Sequence, residues 1–360
     1  WESSGKIAAV MSHNMNKIFP FLLSTVFVFS LTGCRQKSKS KGEARQFVTL
    51  CRVSTTPVKN QGNSDLCWLY GMLATIESEH IMRGDSVNLS PDFVFRNILG
   101  ELGTRVFLSH GKQQIALRGM SSMLVHYIED SGLIPYDAYF NGSRKINYPV
   151  LCNKVQKLAV SSTDLKSFRS RMDELFDDVI GPLPGTVAMG GMQYTPREFA
   201  HSVCLPDEYM GATSFTHHPF GSEFCLEVPD NVMHDSFLNV PIDSLIGHIE
   251  QALFAGHPVC WEGDCTEPGF DWGQGIAVLP QPTADTSQEE RQHEFEERQT
   301  TDDHVMELVG MARDLSGKEY FIAKNSWGPS NIYKGYMYIS KDYARLKTVA
   351  VMMTRQAWGR

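Results

Sequence analysis

Two clusters of chemistry-bearing residues lie far apart in this chain, and any fold that uses both must bring them together. The first is Lys59-Asn60-Gln61-Gly62-Asn63-Ser64-Asp65-Leu66-Cys67-Trp68. The second comprises His304 and the run Lys324-Asn325-Ser326-Trp327-Gly328. His304 follows Cys67 by 237 positions. Together they offer a thiol, an imidazole, an amide able to orient the ring (Asn325) and an amide able to donate to an oxyanion (Gln61). Acyl transfer through a covalent thioester needs those four parts. Each part alone is ordinary, since a single cysteine is most often a small core residue and Asn-Ser-Trp-Gly could be a turn. Their joint occurrence, with Gln six places before Cys and an aromatic directly after it, carries the reading.

The spacing predicts a helix over 67–83, with Cys67 in its first turn and Gly84 as a stop. Unpaired N–H groups and the helix dipole favour a thiolate there. A neighbouring imidazolium can take a thiol from about 8.5 to roughly 3.5–7.5. His304 then protonates the departing amine, Asn325 accepts the other ring N–H, and Trp327 shields that bond from water. Gln61 and the Cys67 backbone N–H would meet the developing oxyanion. Asp302-Asp303 beside His304 could tune the imidazole upward, though Asn325 already supplies an orienting partner. His217-His218 are expected to point apart with no third ligand in step, so neither a metal nor an organic cofactor is anticipated.

Further helices are predicted after Ser90-Pro91, over 121–131 and over 166–180. A strand is expected over 224–228, a helix over 242–254, and strands over 258–261, 305–312, 320–324 and 336–339. Helices first and strands later indicate an α+β fold of two halves, 47–222 with the nucleophile and 223–360 with His304 and Asn325. Residues 285–303 hold eight acids against two arginines. They read as a solvated loop or surface helix, or as an acidic flap at the cleft drawing in a cationic amine.

A hydrophobic fraction of 42% allows a large core, and a formal charge of -8 argues against nucleic-acid partners. Residues 1–14, opening on Trp1, read as an upstream extension of no structural role. Met15 is then the start, and an apolar run over 18–31 suits a signal peptide over 15–33. Leu31-Thr32-Gly33-Cys34 is similar to a bacterial lipobox, which implies lipidation of Cys34, a cell-envelope location and a polar, basic tether over 34–46. An ordinary secretion signal with a chance cysteine is the alternative. The eight cysteines are irregularly spaced and give no pairing.

With these residues in view, the chain resembles papain-like cysteine peptidases, and most closely their bleomycin hydrolase / aminopeptidase C branch. Papain and cathepsins carry another cysteine just before the nucleophile, whereas Ser64-Asp65-Leu66 stands here, and the insertion before His304 is long. Tyr194-Thr195-Pro196-Arg197-Glu198-Phe199, His218-Pro219-Phe220 and Gly256-His257-Pro258-Val259-Cys260-Trp261-Glu262-Gly263-Asp264 also look like that branch. The resemblance implies a papain-like two-domain fold with a cleft between a helical half and a β-barrel-like half, and removal of residues from peptide N-termini. It implies substrate contacts from Gly119, Trp68 and Trp327, and it leaves homo-oligomers open. Two departures stand out. Val305 follows His304 where the branch has a small residue, and the tail Arg355-Gln356-Ala357-Trp358-Gly359-Arg360 does not match the branch's cleft-filling arm. A papain-fold endopeptidase and a catalytically silent binding protein are therefore the alternatives.

Overall fold

A computed structural model describes residues 44–139, 146–281 and 284–359. The upstream extension, the signal segment, Cys34 and most of the tether lie outside the described residues. Within them no helix is long and apolar enough to cross a membrane.

Five helices carry most of the first half: α1 (Cys67–Met82), α2 (Pro91–Leu108), α3 (Met123–Ser131), α4 (Tyr148–Ser161) and α5 (Leu165–Val179). Their starts are written in side chains. Ser90 accepts from the Phe93 amide at 3.3 Å with Pro91 in the first turn, and Asp164 accepts from Ser167 N at 2.8 Å. A capping box of Thr195 and Glu198 opens α6 (Pro196–Val203). Later helices are α7 (Ile242–Phe254), α8 (Gln288–Glu296), α9 (Lys341–Lys347) and α10 (Arg355–Trp358).

The strands are β1 (Phe47–Arg52), a small hairpin of β2 (Val187–Met189) and β3 (Met192–Tyr194), then β4 (Tyr209–Thr213), β5 (Glu223–Cys225), β6 (Ser236–Asn239), β7 (Val259–Gly263), β8 (Phe270–Asp271) and β9 (Ile276–Ala277). They continue with β10 (His304–Asp314), β11 (Glu319–Lys324), β12 (Tyr336–Ser340) and β13 (Thr348–Thr354). One large sheet runs β5-β6-β4-β13-β7-β10-β11-β12-β9-β8, with β1 also paired to β10. β1 and β4 thus belong to the same sheet as the C-terminal strands, and the sequence boundary at 222/223 is not a spatial one.

Alternation along the central strands explains why their apolar runs are nearly continuous. Cys260, Val305, Ala350 and Met352 face the helical core with α1, while Val259, Trp261, Met306, Leu308, Val351 and Met353 pack in a second core with α7. Close approach needs glycine at two points. A Cβ on Gly71 of α1 would lie 2.6 Å from Val305 Cγ1, and one on Gly310 of β10 would lie 2.3 Å from the Cys51 carbonyl oxygen. Val305 therefore fills core against α1, being 4% exposed, and does not narrow the cleft.

Candidate active site

Residues 59–61, just upstream of α1, lie antiparallel to residues 326–328. Gln61 N donates to Ser326 O at 2.8 Å, Gly328 N donates to Lys59 O at 3.1 Å, and Asn60 bridges Trp327. Ion pairs brace both flanks from below. Lys59 pairs with the buried Glu77 of α1, and Lys324 Nζ lies 3.3 Å from Glu307 on β10. The segment carrying Gln61 and the one carrying Asn325 are thereby one mechanical unit.

His304 opens β10 and is 3% exposed. Its Nε2 lies 2.9 Å from Asn325 Oδ1, which also accepts from Ser326 N at 2.7 Å. The Trp327 ring lies over the imidazole at 4.6 Å between centroids, and Trp272 and Phe270 pack edge-on against Trp327. The predicted orienting bond and its apolar cover are both present. Nδ1 is the ring nitrogen left to exchange a proton with a thiol.

Cys67 begins α1, and the backbone amides of Val305 and Trp68 are turned on its sulfur. Val305 directly follows His304, so the thiol lies against the start of the imidazole's own strand. Burial pushes the thiol up to about 12 against the pull of those amides, and the carboxylates of Glu262 and Asp230 push the same way. Burial likewise lowers His304 to about 4, opposed by the Asn325 bond. An opposite charge on each neighbour stabilises the thiolate–imidazolium form in a medium of low dielectric.

Gln61 is 6% exposed and held at both ends of its amide. Oε1 accepts from Ser326 Oγ at 2.6 Å, and Nε2 donates one hydrogen to Ser64 O at 2.7 Å. A second Nε2 hydrogen remains for an oxyanion, fixed in advance.

Three expectations change. Trp68 is fully buried, with its indole N–H donating to Leu117 O at 2.8 Å, so its ring fills core and does not meet substrate. Gly119 is buried beneath it, where a Cβ would lie 2.4 Å from Met123 Sδ. Asp302 and Asp303 do not raise the imidazole. Asp303 accepts from Cys265 N at 2.8 Å, and Asp302 from Asp230 N at 3.1 Å. The surface-helix reading of residues 285–303 stands, with α8 docked on the body of the protein through two buried side chains, Arg291 and Gln292. Arg291 on α8 is fully buried, donating to Ser214 O, Arg345 O and Leu346 O.

Some site residues went unread. Ser326, Trp272 and Phe270 support the site from outside the four-part pattern. Glu262 on β7, paired across the ladder with Val305, is 2% exposed and accepts from Ser121 N at 2.8 Å. Burial and the charges of Asp302 and Asp230 raise Glu262 to about 7, while burial and the Asp230 charge raise Asp302 to about 6. The signal for Glu262 was a lone acid inside an otherwise apolar strand.

Residues 287–356 match the model of the papain family cysteine protease. No curated protein sequence matches the chain. Among solved structures, PepW from Lactobacillus rhamnosis HN001 superposes with a TM-score of 0.63 at 18% identity, covering 86% of this chain and 82% of its own. Procathepsin L2 from the Tenebrio molitor larval midgut gives 0.43 at 16% identity, over 83% of this chain and 64% of its own. Bromelain from Ananas comosus gives 0.41 at 16% identity, over 83% and 94%. The chain has a papain-like fold, and its C-terminal stretch is similar to the papain family of cysteine proteases.

Proposed function

We propose that the chain hydrolyses peptide bonds through a thioester on Cys67, with His304 as proton carrier, Asn325 orienting its ring and Gln61 donating to the oxyanion. The observation that carries this is the His304–Asn325 bond at 2.9 Å under Trp327, in a strand whose next amide faces the Cys67 sulfur. Cys67→Ser should lose peptide cleavage and labelling by a thiol-directed epoxide. If the parent thiol reacts no faster than a free one, the silent binding reading replaces this one.

N-terminal trimming, which the resemblance implies, is the first reading of specificity. Two acids favour it, since Asp230 and Glu262 both raise the thiol beside them and would draw in a cationic amine, with Asp230 already holding the Arg118 guanidinium at 2.9 Å. A different observation favours endopeptidase action. Thr348 is level with Gly263 and His304 in the sheet, while α10 begins after Thr354, at the far end of β13. Six residues at about 3.3 Å each place α10 about 20 Å along the strand. There Trp358 stacks on His248 of α7 at 3.9 Å, so this segment supplies no arm to the cleft. Paired fluorogenic peptides with free and blocked N-termini decide between the two, because cleavage of the blocked form excludes strict aminopeptidase action. We further propose anchoring through Cys34 in a bacterial envelope, which palmitate labelling lost in Cys34→Ala would test.

A further inference from the structure

His217 and His218 were expected to point apart, as neighbours on extended backbone do, but the chain turns there and both rings converge on one acid. His217 Nε2 lies 3.1 Å from Glu227 Oε2, and His218 Nε2 lies 2.7 Å from Glu227 Oε1. The three ligand atoms all fall within 4.8 Å of one another. A tetrahedral zinc with bonds of about 2.0–2.1 Å sets its ligands about 3.3 Å apart, so small outward shifts of the rings make room for the ion.

The rings are held from behind. His218 stacks on Phe224 at 4.0 Å, and His217 packs between Phe224 and Phe295 at 5.6 and 5.8 Å. Nδ1 of His217 meets the Gln292 amide, 3.1 Å from Nε2 and 3.5 Å from Oε1. Gln292 Oε1 accepts from Thr216 N at 2.7 Å, so its Nε2 donates to Nδ1 in the metal-free protein, and an ion on His217 Nε2 requires the amide to turn its oxygen toward an Nδ1–H. The backbone of the turn is fixed too, because fully buried Asn239 donates to Phe215 O and His218 O at 2.8 Å each. Glu227 remains half exposed, which leaves a fourth position open to water.

We propose that His217, His218 and Glu227 bind a zinc-class divalent cation, a site distinct from the thiol centre. Two imidazoles and one carboxylate suit zinc or cobalt, whereas magnesium and calcium prefer all-oxygen shells. The ion would clip the 216–222 turn to the loop that continues to Asp230, whose amide holds Asp302 two residues before His304.

The experiment titrates the full chain with zinc against a chromophoric chelator, and with cobalt followed by visible absorption. One saturable site is expected, with affinity falling by about tenfold or more in His218→Ala and in Glu227→Gln. Zinc should raise the melting temperature of the parent and not of these variants. Glu227→Gln is nearly isosteric and exposed, so loss of binding there with an unchanged circular dichroism spectrum is not misfolding. The cobalt spectrum should lack a thiolate charge-transfer band. Absence of a saturable site, equal affinity in both variants, or a thiolate band would overturn the proposal.

Discussion

Replacing Gln61 with Ala tests the chemistry at its most exacting point. The side chain is anchored before substrate arrives, by Ser326 Oγ on Oε1 and Ser64 O on one Nε2 hydrogen. Its remaining hydrogen therefore meets the oxyanion without reorganisation, and losing one such donor costs about 2.7–4 kcal/mol. That is a fall of about 100–1000-fold in kcat with KM little changed, read on a fluorogenic peptide amide. Ser326→Ala removes only the anchor, a bond worth about 0.5–1.5 kcal/mol, and should cost about 2–13-fold. In the double variant the anchor has nothing left to hold, so Ser326→Ala should add almost nothing on the Gln61→Ala background. Alkylation of Cys67 by iodoacetamide displaces a halide and forms no oxyanion, so its rate should stay level throughout. A Gln61→Ala enzyme within threefold of the parent, or alkylation falling in step with kcat, refutes the assignment.

Three other outcomes follow from the same geometry. Burial lowers His304 to about 4, so the imidazole stays neutral above that pH; kcat/KM should fall as pH drops through about 4, and a fall centred at the ordinary 6.5 contradicts it. Glu262 is raised from an ordinary 4.5 to about 7, so the native state holds the extra proton between those values and stability declines as pH rises through that window. Urea unfolding at pH 5 and pH 7 should show that decline flattened in Glu262→Gln. Arg291→Lys leaves one ammonium where a guanidinium reached three carbonyls, and should destabilise by about 1–3 kcal/mol in urea melts; a change below about 0.5 kcal/mol contradicts the docking role.

Local signals were the readable ones. The start of α1 at Cys67, the Ser90-Pro91 cap and the bounds of α7 follow from periodicity and caps in contiguous residues. The strand expected over 224–228 shortens to β5 because the backbone turns at once, with Asn231 N reaching Val228 O at 3.1 Å. β1 and β13 were not anticipated, since the pairing that makes each a strand comes from residues far along the chain. The site divides the same way. Residue types named Cys67, His304, Asn325 and Gln61, but the grip of Ser326 on Gln61 spans 265 positions and no local pattern encodes it. Trp68 misled for a related reason, since an aromatic beside a nucleophile reads equally well as a substrate contact or as core.

The antiparallel stitch between residues 59–61 and 326–328 has a consequence for how this molecule fails. Activation of the carbonyl and aim of the base hang on a single seam, so fraying there silences both at once. Partial opening would thus leave a dead catalyst, not a sloppy one, and a chain still being made stays harmless until its last third has closed onto its first.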